Sequence, residues 1–217
     1  MCGTRLSHKE NMFSDEDGRL AVGGARAVVE GHVRKETPVR LDLPSVFKKK
    51  SGVFVTLTTH PSGDLRGCIG YPEPLLPLEE ALRDSAVSAC SRDPRFPPVK
   101  PAELDTVKVE VSLLTPPEEI KVKKPTDLPK HIEVGSDGLI VQRGLNRGLL
   151  LPQVPVEWGW NPAEFLSQTC LKAGLAPDTW LREGTKVFKF QAEVFSEDSP
   201  RGAVKRRSLD EEHGTCH

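Results

Sequence analysis

The chain predicts an α+β fold, a mostly antiparallel sheet with helices packed against it, and three observations predict it. A capped stretch of helical period opens the sequence; two strand-like runs, Gly52–Thr59 and Leu65–Gly70, flank the turn residues Pro61-Ser62-Gly63-Asp64; and Val107–Leu113 alternates strictly. Short turn chemistry between strand-period runs gives antiparallel neighbours, and helices in the same chain then cover one face of the sheet.

The first helix is expected over Asp15–Arg34. Ser14 and Asp17 form a capping-box pair, and Leu20, Gly24, Ala27, Val28 and Gly31 recur at helical spacing. Gly23 and Gly24 lower its intrinsic propensity, which suggests close packing there. Lys48-Lys49-Lys50 then reads as a solvated flank before a buried strand rather than as a phosphate site.

In the strand Gly52–Thr59, Val53, Val55 and Leu57 share one face while Phe54, Thr56 and Thr58 share the other. The simplest four-residue loop puts His60 opposite Leu65 and Leu57 opposite Cys68. That register sets Cys68 and His60 on opposite faces and disfavours a Cys-His dyad, unless a bulge at the glycines flips it.

Pro77 at the first helical position begins a second helix with the stripe Leu78, Ala81, Leu82, Ala86 and Ala89, which Cys90 flanks. Asp93-Pro94-Arg95-Phe96-Pro97-Pro98 breaks it, with Arg95 read as the partner of Asp93 in preference to an anion-binding group. Val107, Val109, Val111 and Leu113 point inward from a half-buried strand, and Glu110 faces the opposite side, solvent or a cleft.

A polar, proline-rich connector follows from 116 to 138, with room for one short helix. Gly138–Leu151 holds two short strands about the turn Arg143–Gly148, and Pro152–Trp160 reads as irregular. Asn161-Pro162-Ala163-Glu164 is a helix start with a cap, a proline at N1 and a glutamate at N3. Ala163, Leu166, Cys170 and Ala173 form its buried stripe, and Gly174 ends it. Lys186–Phe195 is a last strand. The segment 198–217 balances Arg201, Lys205, Arg206 and Arg207 against four acids and has too few apolar side chains to fold alone. Arg206-Arg207-Ser208-Leu209 looks like a kinase site of the kind that arises by chance in polar tails.

Composition bounds the function. With 37% hydrophobic and 28% charged residues the chain reads as a globular protein with one substantial core. A net charge of −1 supplies no global field for nucleic acid or anionic membranes, so nucleic acid is not an expected partner. No apolar run follows the amino terminus or is long enough to span a bilayer, which predicts a cytoplasmic protein. Cys2, Cys68, Cys90, Cys170 and Cys216 are five and scattered, without a Cys-x-x-Cys pair, and the histidines lack metal-binding spacings. No disulfide framework, structural metal or cofactor is therefore expected.

The most unusual local sequence is Leu65-Arg66-Gly67-Cys68-Ile69-Gly70, a thiol between two glycines at the end of an apolar strand. Glycine lets backbone approach a ligand, and Arg66 favours a thiolate electrostatically. Strand glycines are also bulges, and free cysteines are commonly buried, so the residues alone leave a site and a structural role open.

This hexapeptide resembles the signature of the AMMECR-type domain family, whose members occur in archaea, bacteria and eukaryotes. Asp93–Pro98, Val109–Leu114, Leu150–Val154, Trp160–Leu166 and Cys170–Leu175 resemble the same family in matching order, and an archaeal member is the expectation. The resemblance implies a single domain over 13–197 with a larger and a smaller α/β subdomain, a boundary in 116–138, and a cleft between them. Residues 1–12 would be an extension and 198–217 a tail. It also implies Memo-type or radical-SAM proteins as partners.

Two functions follow. In the first, Cys68 is a nucleophile, Arg66 holds an anionic group, and Glu110 is the remaining candidate base. In the second, the hexapeptide is a backbone-lined groove for a peptide, nucleotide or partner loop, with the thiol incidental. Gly67, Ile69 and Gly70 on one wall and Gln153, Trp158 and Glu164 on the other are the expected ligand contacts, since clefts between subdomains favour ligand sites. Trp158 and Trp160 are alternatively core plugs.

Overall fold

Alternating aliphatic residues fix the first half of the sheet in the computed structural model, which describes residues 12–207. Strand β1 (Val53–Thr59) lies between β2 (Leu65–Tyr71) and β3 (Val107–Leu114), antiparallel to both. Val53, Val55 and Leu57 of β1 and Val107, Val109, Val111 and Leu113 of β3 are all buried on one face. Each such side chain contributes about 1.5–3 kcal/mol of hydrophobic stabilisation.

Helices α1 (Asp15–Arg34) and α2 (Leu78–Ser91) cover that face. Ser14 caps α1 with the expected reciprocal bonds to Asp17. Its most buried face carries Gly18, Ala21, Val22, Ala25 and Val29, offset from the expected stripe, with Leu20, Gly24 and Ala27 on its flank. The closest approach falls at Gly18, where a Cβ would lie 2.0 Å from the Phe195 ring; of the two expected positions, a Cβ at Gly24 would lie 3.3 Å from Leu41 while one at Gly23 would meet nothing within 4 Å. Arg26 is drawn into the buried face because its charge is answered there. Its guanidinium pairs with buried Glu197 and donates to the Val107 carbonyl at 2.6 Å.

A 12-residue strand, β7 (Lys186–Glu197), carries the second half. Its Ala192–Ser196 portion pairs with β3, while Lys186–Gln191 pairs with β5 (Asp137–Arg143), and β6 (Asn146–Leu150) adds outside β5. The eight-stranded sheet runs β2-β1-β3-β7-β5-β6, with β4 (Glu118–Glu119) and β8 (Val204–Arg207) also on β7. All pairings are antiparallel. The connector between β3 and β5 contains β4 and a 3-10 segment, Pro125–His131.

Helix α4 (Pro162–Lys172) packs on β5 and β6 and is capped by Asn161 with Glu164 reciprocating, and Gly174 beyond it has φ +71°. Leu139, Val141, Phe165, Leu166, Cys170 and Val187 form a second core beneath it. The sheet faces turned away from the helices share a third cluster, in which Phe54 and Leu149 pack around Leu114, Ile140 and Phe190. The sheet is thus curled, with helices outside and this cluster within.

Three places differ from expectation. Within Pro152–Trp160, Gln153–Glu157 forms the short helix α3, and Pro77 sits one residue before the first turn of α2. The segment 198–217, expected to be a polar tail unable to fold alone, contributes β8 by pairing with the rest of the sheet. Edge pairing with β7 and charge contacts replace apolar burial: Arg206 bonds Asp15, Glu193 and the Phe13 carbonyl and lies 4.5 Å over the Phe195 ring. Cys2, Ser208 and Cys216 lie outside the described residues.

Candidate functional site

Cys68 owes its orientation to one extra residue in β2. Leu57 faces Gly67 and Thr58 faces Leu65, so Arg66 is bulged out and Cys68 stands opposite Thr56. This corrects the register with His60 opposite Leu65 and Leu57 opposite Cys68, because a bulge shifts the pairing by one and turns the following side chains to the other face. Cys68 therefore shares the side of Phe54 and Thr56, away from α2. His60 follows the last residue of β1, its amide donating to the Thr106 carbonyl at 2.7 Å.

β2 is an edge strand, and its free edge at Cys68 is closed by side chains. The Cys68 amide donates to Asp93 Oδ2 at 2.8 Å, and Arg95 donates to the Cys68 carbonyl at 3.2 Å. Asp93 is buried and also accepts from the Arg95 guanidinium at 2.8 and 3.0 Å and from the Arg95 amide at 3.1 Å. The Arg95 guanidinium, ahead of the two amides, holds the Asp93 carboxyl well below the usual carboxylate range. The pairing of Asp93 with Arg95 matches expectation, and its attachment to the Cys68 backbone is what sequence reasoning missed.

The thiol itself is half-buried and bonded to Thr56 Oγ1 at 3.3 Å. Burial pushes the Cys90 thiol up to about 11 and also raises that of Cys170. Arg66 is directed elsewhere: it pairs with Glu103 at 2.8 and 3.2 Å and so depresses the Glu103 carboxyl. The glycines are filled by the protein's own atoms. A Cβ on Gly67 would lie 2.1 Å from the Ala89 carbonyl of α2, and one on Gly70 would lie 2.2 Å from the Val53 carbonyl and 2.5 Å from the Phe54 ring. Ile69 packs against the core under the helices.

Strand register assembles a row across the sheet. Cys68 faces Thr56, Thr56 faces Glu110, and Glu110 faces Ser196. At about 4.8 Å between strands, the Cys68 and Glu110 backbones stand about 10 Å apart with Thr56 between them. Arg207 of β8 bonds the Glu110 carboxylate at 3.0 Å. Thr56 belongs to the site by its place in the β1 alternation, a signal present in the sequence.

The second expected wall is arranged differently. Gln153 begins α3, Glu164 bonds the Asn161 amide at 2.8 Å as part of the α4 cap, and Trp158 is 70% exposed and stacked on Trp160 at 6.1 Å. A cavity of about 440 Å³ between the two halves is lined instead by Phe54, Pro72 and Glu73 on one side and by residues 147–151, Val154 and Lys172 on the other. The structure thus brings Cys68 and Glu110 onto one face, while neither the hexapeptide nor Gln153, Trp158 and Glu164 line the cavity. Among the described residues no group of three or more His, Cys, Asp or Glu is arranged to hold a metal ion, and no helix is long and apolar enough to cross a membrane.

Comparison with known proteins adds the context. The AMMECR1 family model matches residues 22–195. A protein of Methanothermobacter thermautotrophicus is 57% identical over 188 residues, 86% of this chain and 97% of its own. One of Methanocaldococcus jannaschii is 53% identical over 194 residues, 89% of this chain and 96% of its own. The crystal structure of an uncharacterized protein from Pyrococcus horikoshii superposes with a TM-score of 0.77 at 51% identity, covering 90% of this chain and 98% of that one.

Proposed function

Because the chain belongs to the AMMECR1 family, and from the site just described, we propose that it acts on a small electrophilic substrate through the Cys68 thiol. The observation that carries this reading is the combination of a half-buried sulfur bonded to Thr56 and a backbone fixed on both sides by Asp93 and Arg95. A nucleophile works when its geometry is set before the substrate arrives, and the ion pair of buried Asp93 with exposed Arg95, bonded to its own amide and carbonyl, supplies that rigidity. Glu110, on the same face beyond Thr56, is the acid–base group of this reading.

The test is site-resolved alkylation by iodoacetamide at pH 7, followed by peptide mass spectrometry. Cys68 reacts faster than Cys90 and Cys170, whose thiols burial protects, and Thr56→Val changes the Cys68 rate alone. Equal rates at Cys68 and Cys90 would overturn the reading.

A second reading, a non-catalytic binding module, is favoured by the fate of the glycines. The Ala89 carbonyl covers Gly67, the Phe54 ring covers Gly70, and Asp93 occupies the Cys68 amide, so these groups are not free to stabilise an oxyanion. Retention of one non-covalent ligand by both the wild type and Cys68→Ser supports this alternative. Under either reading, a Memo-type or radical-SAM protein is the partner class to try first.

A further inference from the structure

The cavity between the two halves has a composition distinct from the polar row at Cys68. Phe54, Pro72, Leu149, Leu150, Leu151 and Val154 give it apolar walls, and its charged groups are Glu73, Arg147 and Lys172. Its volume of about 440 Å³ falls within the range of small-molecule sites. Leu149 of β6 and Leu151, just past its end, both pack against the cluster inside the curl, and both remain only half-buried.

Two of the three charges are already answered. Arg147 donates to Glu73 at 2.6 Å and to Gln142 at 2.5 Å, and lies 5.6 Å over the Phe188 ring. Lys172, the last residue of α4, is exposed and makes no ion pair or side-chain hydrogen bond among the described residues. The site therefore joins an open, mostly apolar cleft to one positive charge that has no ion-pair partner among the described residues. We propose that it binds a small amphipathic anion of about ten non-hydrogen atoms in all, an apolar body bearing one carboxylate, with the body against the leucines and the carboxylate at Lys172. A cationic ligand of the same shape would meet Lys172 unfavourably. This site stands apart from the thiol reading, since none of its lining groups is Cys68, Thr56 or Glu110.

The probes are octanoate and octylammonium, titrated into the full chain while leucine and valine methyl shifts are followed by NMR. Octanoate shifts the methyls of Leu149, Leu151 and Val154 saturably, with a dissociation constant of about 1 mM or tighter. Octylammonium binds at least about threefold more weakly, and Lys172→Met, an exposed change that leaves the fold intact, weakens octanoate by about fivefold. Val154→Trp fills the cleft and abolishes binding of both. Cys68→Ser binds octanoate as the wild type does, so failure of the thiol reading leaves this result standing. The proposal is overturned by no saturable octanoate shift, by equal affinity for the two probes, or by unchanged octanoate affinity in Lys172→Met.

Discussion

Asp93 Oδ2 accepts the Cys68 amide at 2.8 Å, joining residues 25 positions apart. The contact replaces the strand that an edge would otherwise invite, and it fixes the backbone of the residue on which the thiol reading depends.

Asp93→Ala is expected to lower unfolding free energy by about 1–3 kcal/mol, since the Cys68 N–H loses its acceptor. Denaturant unfolding gives the loss, and hydrogen exchange at the Cys68 amide localises it. The effect depends on pH. The Asp93 carboxyl is depressed in the folded state, so its contribution is complete above about pH 4, where the unfolded chain is ionised, and is lost as pH falls through the lower folded value. Wild type and Asp93→Ala should therefore converge in stability under acid.

Gly67→Ala and Gly23→Ala should move stability in opposite directions. The first drives a Cβ to 2.1 Å from the Ala89 carbonyl and must displace α2, at a cost of about 1–3 kcal/mol or more. The second adds a Cβ into open space on a helix and stabilises by about 0.5–1 kcal/mol. Thermal unfolding of the two variants checks both signs.

These glycines show what the sequence made legible and what it did not. The alternation in β1 and β3 and the caps at Ser14 and Asn161 are local signals, and they identified the helices, the strands and the antiparallel sheet. The hexapeptide was legible as unusual, but its glycines read as openings for a ligand when α2 and Phe54 fill them. Which atom occupies the space beside a glycine is decided by tertiary packing. The bulge at Arg66 has the same character, because an extra residue in a strand is absorbed or expelled according to both neighbours. β8 escaped notice because its stabilising partners, Glu193, Asp15 and the Phe195 ring, are distant in sequence.

Ending the chain after Ala203 should cost about 1–3 kcal/mol. It removes β8, the stacking of Arg206 on Phe195 and the bond of Arg207 to Glu110. Arg206→Ala in the full chain should account for a large part of that loss by denaturant titration. A truncated chain as stable as the full one would contradict the role given to β8.

The central claim, that Cys68 does covalent chemistry, is tested most directly by intact-mass and peptide mass spectrometry. Purified wild type and Cys68→Ser are each incubated with a small-metabolite extract and then mapped. The account predicts an adduct on the peptide containing Cys68 in the wild type, absent from Cys68→Ser and altered in yield in Glu110→Gln. No adduct on Cys68, with the same non-covalent ligand retained by wild type and Cys68→Ser, would contradict it.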